Sequence, residues 1–202
     1  TTSLTALLFA ELCEQAGLPD GVVNIITGDG TTGSLIVNHK DINKIAFTGS
    51  TQVGKLIQKS LAGRDVGLTL ELGGKAANIV YEDAAIDQAV EGVVNGIFFN
   101  QGHVCCAGSR LLLQESIHDE FVAKLEKRMQ TLRVGNPLDK NTDIGAINSK
   151  EQLNKIEGLV NEGVSDGGKI FQTECELPGN GFWFKPTLFT DVQPSYSIAR
   201  EE

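Results

Sequence analysis

The chain has 202 residues, 41% of them hydrophobic, and a formal net charge of −9. That is enough apolar material for a core in one domain or two, and the acidic balance without any basic run argues against nucleic acid and anionic membrane as partners. No apolar run is long enough to span a bilayer, the N-terminus lacks the regions of a secretory signal, and Cys13, Cys105, Cys106 and Cys175 form no CxxC pair. Neither a metal site nor a disulfide scaffold is therefore expected, and a reducing compartment fits.

Residues 4–16 carry apolar positions at 4, 7, 8, 12 and 16 before Gly17 and Leu18-Pro19, which predicts an amphipathic helix with a glycine C-cap. The β-branched run Val22-Val23-Asn24-Ile25-Ile26 predicts a short buried strand. Gly28-Asp29-Gly30-Thr31-Thr32-Gly33 then matches Gly-x-Gly-x-x-Gly ahead of a helix-like segment, the pattern of a pyrophosphate loop. With 23 glycines in the chain, such a match is easily met by chance.

The next unit is better built for phosphate. Lys44 to Thr48 reads as a strand, Gly49-Ser50-Thr51 as a tight turn with an N-cap hydroxyl, and Val53 to Leu61 as a helix with Ile57 and Leu61 on one face. Free amides at that helix start, with the Ser50 hydroxyl, suit a pyrophosphate oxygen, and a plain capped helix would look the same. Leu68 to Leu72 supplies a further strand. The alternation of strands and helices predicts a parallel sheet with ligand at the carboxyl ends of its strands, where Thr48 to Ser50 and Glu71 fall.

A second unit follows. Ala77 to Tyr81 reads as a strand, Ile86 to Phe98 as a helix, Leu111 to Leu113 as a strand, and His118 to Leu132 as a helix with Phe121, Leu125, Met129 and Leu132 facing the core. Ser149 opens a helix through about Val160, Gly167-Gly168 leads into Lys169-Ile170-Phe171, and Pro178 to Gly181 forms a loop.

Between the helix at 86–98 and the strand at 111–113 lies Gln101-Gly102-His103-Val104-Cys105-Cys106-Ala107-Gly108-Ser109-Arg110. Small residues there can hold a thiol at a cleft. Attack on a carbonyl carbon needs a thiolate, a general base and a polar site for the oxyanion, and Cys105 and Glu71 could supply the first two. Taken singly, Cys105 reads as a core residue and Glu71 as a solvated carboxylate.

Three motifs change this: Phe47-Thr48-Gly49-Ser50-Thr51-Gln52-Val53-Gly54, Glu71-Leu72-Gly73-Gly74-Lys75, and the cysteine loop at 99–110. In that order and spacing the chain resembles the aldehyde dehydrogenase superfamily from about Leu4 to Glu202. The resemblance implies an α/β fold: a Rossmann-type parallel sheet portion, residues 1–73, joined to an α/β catalytic-domain portion, residues 74–202.

It also implies NAD- or NADP-dependent oxidation of an aldehyde to a carboxylic acid. Cys105 would add to the carbonyl and Glu71 would activate the water that hydrolyses the thioester. Gly49, Ser50, Val53, Gly54 and Leu72 would line the cofactor, Gly30 would lie toward its adenine end, and Glu202 would reach the nicotinamide ribose. One departure is His103, where the family usually carries Gln or Glu; it is read as replacing a structural amide.

By the same resemblance, the oxyanion asparagine, the adenosine-ribose pair and the oligomerisation strands lie outside this sequence. The expectation is a central fragment of a cytoplasmic or mitochondrial-matrix homo-oligomer, dimer or tetramer. Alone it should be catalytically poor by about ten- to a thousandfold. The alternatives are a non-catalytic scaffold, a nucleotide-binding relative, and a CoA-acylating enzyme, for which Glu71 would be unnecessary.

Overall fold

The computed structural model describes residues 2–202 and divides into two compact units, one ending at Leu72 and the other comprising Gly73–Glu202. In the first unit, α1 (Ser3–Gln15) and α2 (Gly30–Asn38) precede a β-α-β unit of β1 (Lys44–Gly49), α3 (Thr51–Leu61) and β2 (Gly67–Leu72). The two strands pair in parallel, with Lys44 opposite Gly67 and Gly49 opposite Leu72. The intervening helix makes this the crossover that parallel pairing requires.

Its core is small. Val37, Ile45, Ile57 and Leu61 are buried, with Ile42, Phe47, Val66 and Leu68 packed against them. Gly17 takes φ +76° after α1, the left-handed cap expected of it. The expected strand at Val22–Ile26 does not form: the chain bends at Val22 and Val23, Val22 and Ile26 are exposed, and no strand pairs with the segment among the described residues. β-Branched propensity is insufficient where no neighbouring ladder accepts the backbone groups.

The second unit begins with another β-α-β crossover: β3 (Ala77–Val80), α4 (Ile86–Phe98) and β4 (Arg110–Leu113), the strands parallel with Ala77 opposite Arg110. It continues through α5 (His118–Met129), α6 (Lys150–Ser165), the antiparallel pair β5 (Lys169–Gln172) and β6 (Thr187–Thr190), and the short α7 (Ser197–Arg200). Helix α6 opens as expected, the Ser149 hydroxyl accepting from Gln152 N at 3.1 Å, and runs five residues past the expected end.

The core of this unit joins Val90, Val93 and Val94 of α4 to Phe121, Leu125 and Met129 of α5, with Leu132 and Ile144 beyond. Helix α4 thereby presents its C-terminal end, and the cysteine loop that follows, from a fixed platform. No helix among the described residues is long and apolar enough to cross a membrane.

Candidate active site

At the carboxyl edge of the first sheet, Thr48 pairs with Glu71 and Gly49 with Leu72. Strand β2 alternates half-buried Leu68, Leu70 and Leu72 with exposed Thr69 and Glu71, so the two-residue period turns the Glu71 carboxylate to the open face. The chain leaves β1 through Gly49 and enters α3 at Ser50, whose hydroxyl accepts from Val53 N at 3.3 Å. Ser50 caps with β-region backbone, as a serine N-cap should. The Thr51 and Gln52 amides, the first of the helix, point outward with the positive end of its dipole.

Gly54 has a packing role. It is buried, and a Cβ there would lie 2.6 Å from a Leu72 methyl; its hydrogen lets α3 settle against β2. The start of α2 differs. There the Asp29 carboxylate accepts from Thr31 N at 2.9 Å and Thr32 N at 3.4 Å, and these amides, Thr31 first, hold its pKa below the ordinary carboxylate value. The amides beside Gly30 that a phosphate would need are occupied by the chain's own carboxylate.

In the second unit the cysteine loop starts at the end of α4 in an unusual conformation. Asn100 (φ 49°, ψ 41°), Gln101 (φ 56°, ψ 26°) and Gly102 (φ 75°) are consecutive left-handed residues. Asparagine and glycine adopt this region readily; for glutamine it costs about 1–2 kcal/mol. His103 N–H donates to Asn100 O, Val104 N–H to Gly102 O and Ala107 N–H to Val104 O, the last at 2.8 Å. Cys105 and Cys106 are therefore the two central residues of a tight turn, both thiols free and exposed. Neither of their amides donates a hydrogen bond within the described residues, leaving N–H groups open beside the Cys105 sulfur.

Two adjacent glycines bring further groups to this turn. A Cβ at Gly74 would lie 2.6 Å from the Cys105 carbonyl oxygen, and one at Gly73 would collide with the Glu202 carboxylate. The cysteine turn and Glu202 thus meet the same dipeptide leading into β3. Lys155 Nζ donates to the Glu202 backbone oxygen. The half-buried Lys75 ammonium has its pKa lowered chiefly by burial and next by the Arg110 charge, with Glu202 opposing.

His103 is half-buried; its Nε2 has no partner within the described residues, and burial lowers its pKa. Near neutral pH it is an uncharged imidazole. The close approaches at Gly73 and Gly74 escaped sequence reasoning, although the doubled glycine was visible. Among the described residues there is no cluster of histidine, cysteine and carboxylate groups that could hold a metal ion.

The profile of the aldehyde dehydrogenase family matches residues 1–202, and the chain belongs to that family. Over its whole length it is 45% identical to the mitochondrial aldehyde dehydrogenase of Homo sapiens and 48% identical to retinal dehydrogenase 2 of Rattus norvegicus, covering 39% of each. The solved NAD+ complex of an aldehyde dehydrogenase from Bacillus cereus is 39% identical and superposes with a TM-score of 0.95, all of this chain on 41% of that one. The chain spans about two-fifths of the length of these relatives.

Proposed function

We propose that the protein carrying this chain oxidises an aldehyde to a carboxylic acid with NAD or NADP. One observation carries the reading: an exposed thiol at Cys105, centred on a turn whose own amides are unpaired. A thiolate there adds to the aldehyde carbonyl, and the Cys105 N–H faces the oxygen on which negative charge develops. Loss of hydride from that adduct, for which a bound nicotinamide would be the acceptor, leaves a thioester on Cys105; Glu71 takes a proton from the water that hydrolyses it, freeing the carboxylic acid and the Cys105 thiolate.

The start of α3 fits a dinucleotide. The Thr51 and Gln52 amides and the Ser50 hydroxyl would hold the pyrophosphate, Val53 would lie against the nucleotide, and Gly49, Gly54 and Leu72 would shape the wall behind it. Gly30 belongs beside the adenine end, since the amides near it are already engaged. Glu202, against Gly73, would reach the nicotinamide ribose. When bound, the nicotinamide supplies the hydride acceptor.

Residues up to about 73 would serve as cofactor domain and those from 74 as catalytic domain. The homo-oligomer and the cytoplasmic or mitochondrial setting expected above belong to the same proposal.

The test is reduced-nicotinamide production by the full-length protein across a panel of aldehydes, with Cys105→Ala alongside. Turnover that vanishes in the variant supports the reading. Glu71→Gln should then accumulate acyl-enzyme, whereas wild-type turnover by Glu71→Gln would favour transfer to an acceptor such as CoA. A folded, dinucleotide-binding protein with no turnover would favour a non-catalytic scaffold.

A further inference from the structure

Two side chains outside this scheme hold the loop that carries Cys105. The first is Gln101, in the left-handed region that glutamine disfavours. With its carboxamide oxygen turned toward Gly145, it accepts from Gly145 N at 2.8 Å while its amino group donates to Asn100 O at 2.8 Å and Asn100 Oδ1 at 3.2 Å. Gly145 is a firm anchor: its neighbour Ile144 is buried, bridges to Val134, and accepts from Gly135 N at 3.0 Å. A Cβ at Gly145 would sit 2.5 Å from the Gln101 carboxamide, so the fit leaves no room for a side chain.

The second is Asn78 in the middle of β3. Its Nδ2 donates to Gly108 O at 3.0 Å, thirty residues along the chain, and a Cβ at Gly108 would overlap its carboxamide. Backbone bonds add to this end: Gly108 N–H to Gly96 O at 3.4 Å and Arg110 N–H to Ala76 O at 3.1 Å. Cys105 lies between the two carboxamides, one tied to the segment after α5 and the other to β3.

We propose that Gln101 and Asn78 are positioning residues, a pair of carboxamides that fix the entry and exit of the thiol loop and so set the place of the Cys105 sulfur. The left-handed entry is a conformation the free chain would leave, and the Gln101 bonds hold it there. Loss of either tie lets the turn drift, and a displacement of about 1 Å can cost a hundredfold in a reaction that depends on approach geometry. The proposal rests on Cys105 being the nucleophile, but its test does not require aldehyde turnover.

The experiment uses the full-length protein with Gln101→Met and Asn78→Asp, both close in size to the native residue, and Gln101→Glu, which keeps the acceptor facing Gly145. The readout is the rate of Cys105 alkylation by iodoacetamide from pH 6 to 10, resolved from Cys106 by peptide mass spectrometry. Thermal unfolding serves as the control for folding.

In Gln101→Met and Asn78→Asp the Cys105 rate should differ from wild type by about fivefold or more with a displaced pH profile. Gln101→Glu should stay closer to wild type than Gln101→Met. If the parent oxidises aldehydes, kcat should fall about ten- to a hundredfold with KM nearly unchanged. Wild-type alkylation rates and profiles in folded variants would overturn the proposal. A parent with no turnover but displaced alkylation profiles would count against the dehydrogenase reading alone.

Discussion

The two strand–helix junctions bearing candidate chemistry are built in opposite ways. At the β1–α3 turn, the shape comes from neighbours in sequence: a glycine, a serine cap bonded to Val53 three residues on, and a helix whose first amides are free. The α4–β4 loop takes its shape from residues far away, through Gly145, Asn78 and the Gly73-Gly74 dipeptide. A phosphate site can be made locally because an N-terminus already carries its donors. A thiol held at a turn, with its amides unpaired, has to be imposed by the surrounding fold.

The largest expected effect tests the platform under the second junction. Phe121 has no exposed surface and packs in the cluster with the α4 valines. Phe121→Ala should lower stability by about 3–5 kcal/mol, read by urea unfolding of the full-length protein. Ile57→Ala, in the four-residue cluster beneath the first junction, should cost nearer the low end of the range for such truncations, about 2 kcal/mol. The reverse ranking would mean that the first junction rests on the deeper core.

Next come the two close-approach glycines. At Gly74 a new methyl would meet backbone, the Cys105 carbonyl at 2.6 Å; at Gly54 it would meet the ends of a Leu72 side chain. A backbone cannot swing aside as a leucine can. Gly74→Ala should therefore destabilise by about 1–3 kcal/mol and Gly54→Ala by less than about 1.5 kcal/mol, measured by the same unfolding. Equal costs would erase the distinction between a junction held by remote backbone and one held by adjustable side chains.

This difference also governs how much could be read from the sequence. The helices expected at 53–61, 86–98 and 118–132 form at 51–61, 86–98 and 118–129, and the parallel strands expected at 44–48 and 68–72 form at 44–49 and 67–72. These and the inward set Phe121, Leu125, Met129 and Leu132 were legible to within a few residues at their ends, because a period of 3.6 or 2 and a Ser50 cap are local properties. The strand expected at Val22–Ile26 failed because a strand exists only with a partner. The cysteine loop was recognisable by composition and family resemblance. Its left-handed entry, the Gly145 and Asn78 ties and the steric need for Gly73 and Gly74 were not, since each depends on a residue about 30 or more positions away or on a conformation that glutamine ordinarily avoids.

A smaller effect is expected at the local junction. Ser50→Ala removes the cap of α3 and should cost about 1 kcal/mol of stability. If the Ser50 hydroxyl also meets the pyrophosphate, the dinucleotide Kd should rise about threefold to tenfold, the worth of one hydrogen bond. Calorimetric titration with NAD and NADP reads this directly. Ser50→Thr should retain both properties; a loss of capping without any change in Kd would leave the helix start purely structural.

The smallest expected effect separates the junctions by pH. Burial lowers the pKa of His103 from its ordinary value of 6.5, so the unfolded chain takes up this proton before the folded one does. The stability held by the neutral imidazole is thus complete above 6.5 and is lost progressively as pH falls through the lowered folded value. His103→Gln removes the titrating group, so the slope of unfolding free energy against pH below 6.5 should be shallower in the variant. The difference should vanish between pH 7 and 8. A variant whose slope matches wild type throughout would mean that His103 titrates as freely in the folded loop as in the open chain, and the loop's hold on its own interior would be weaker than its hydrogen bonds imply.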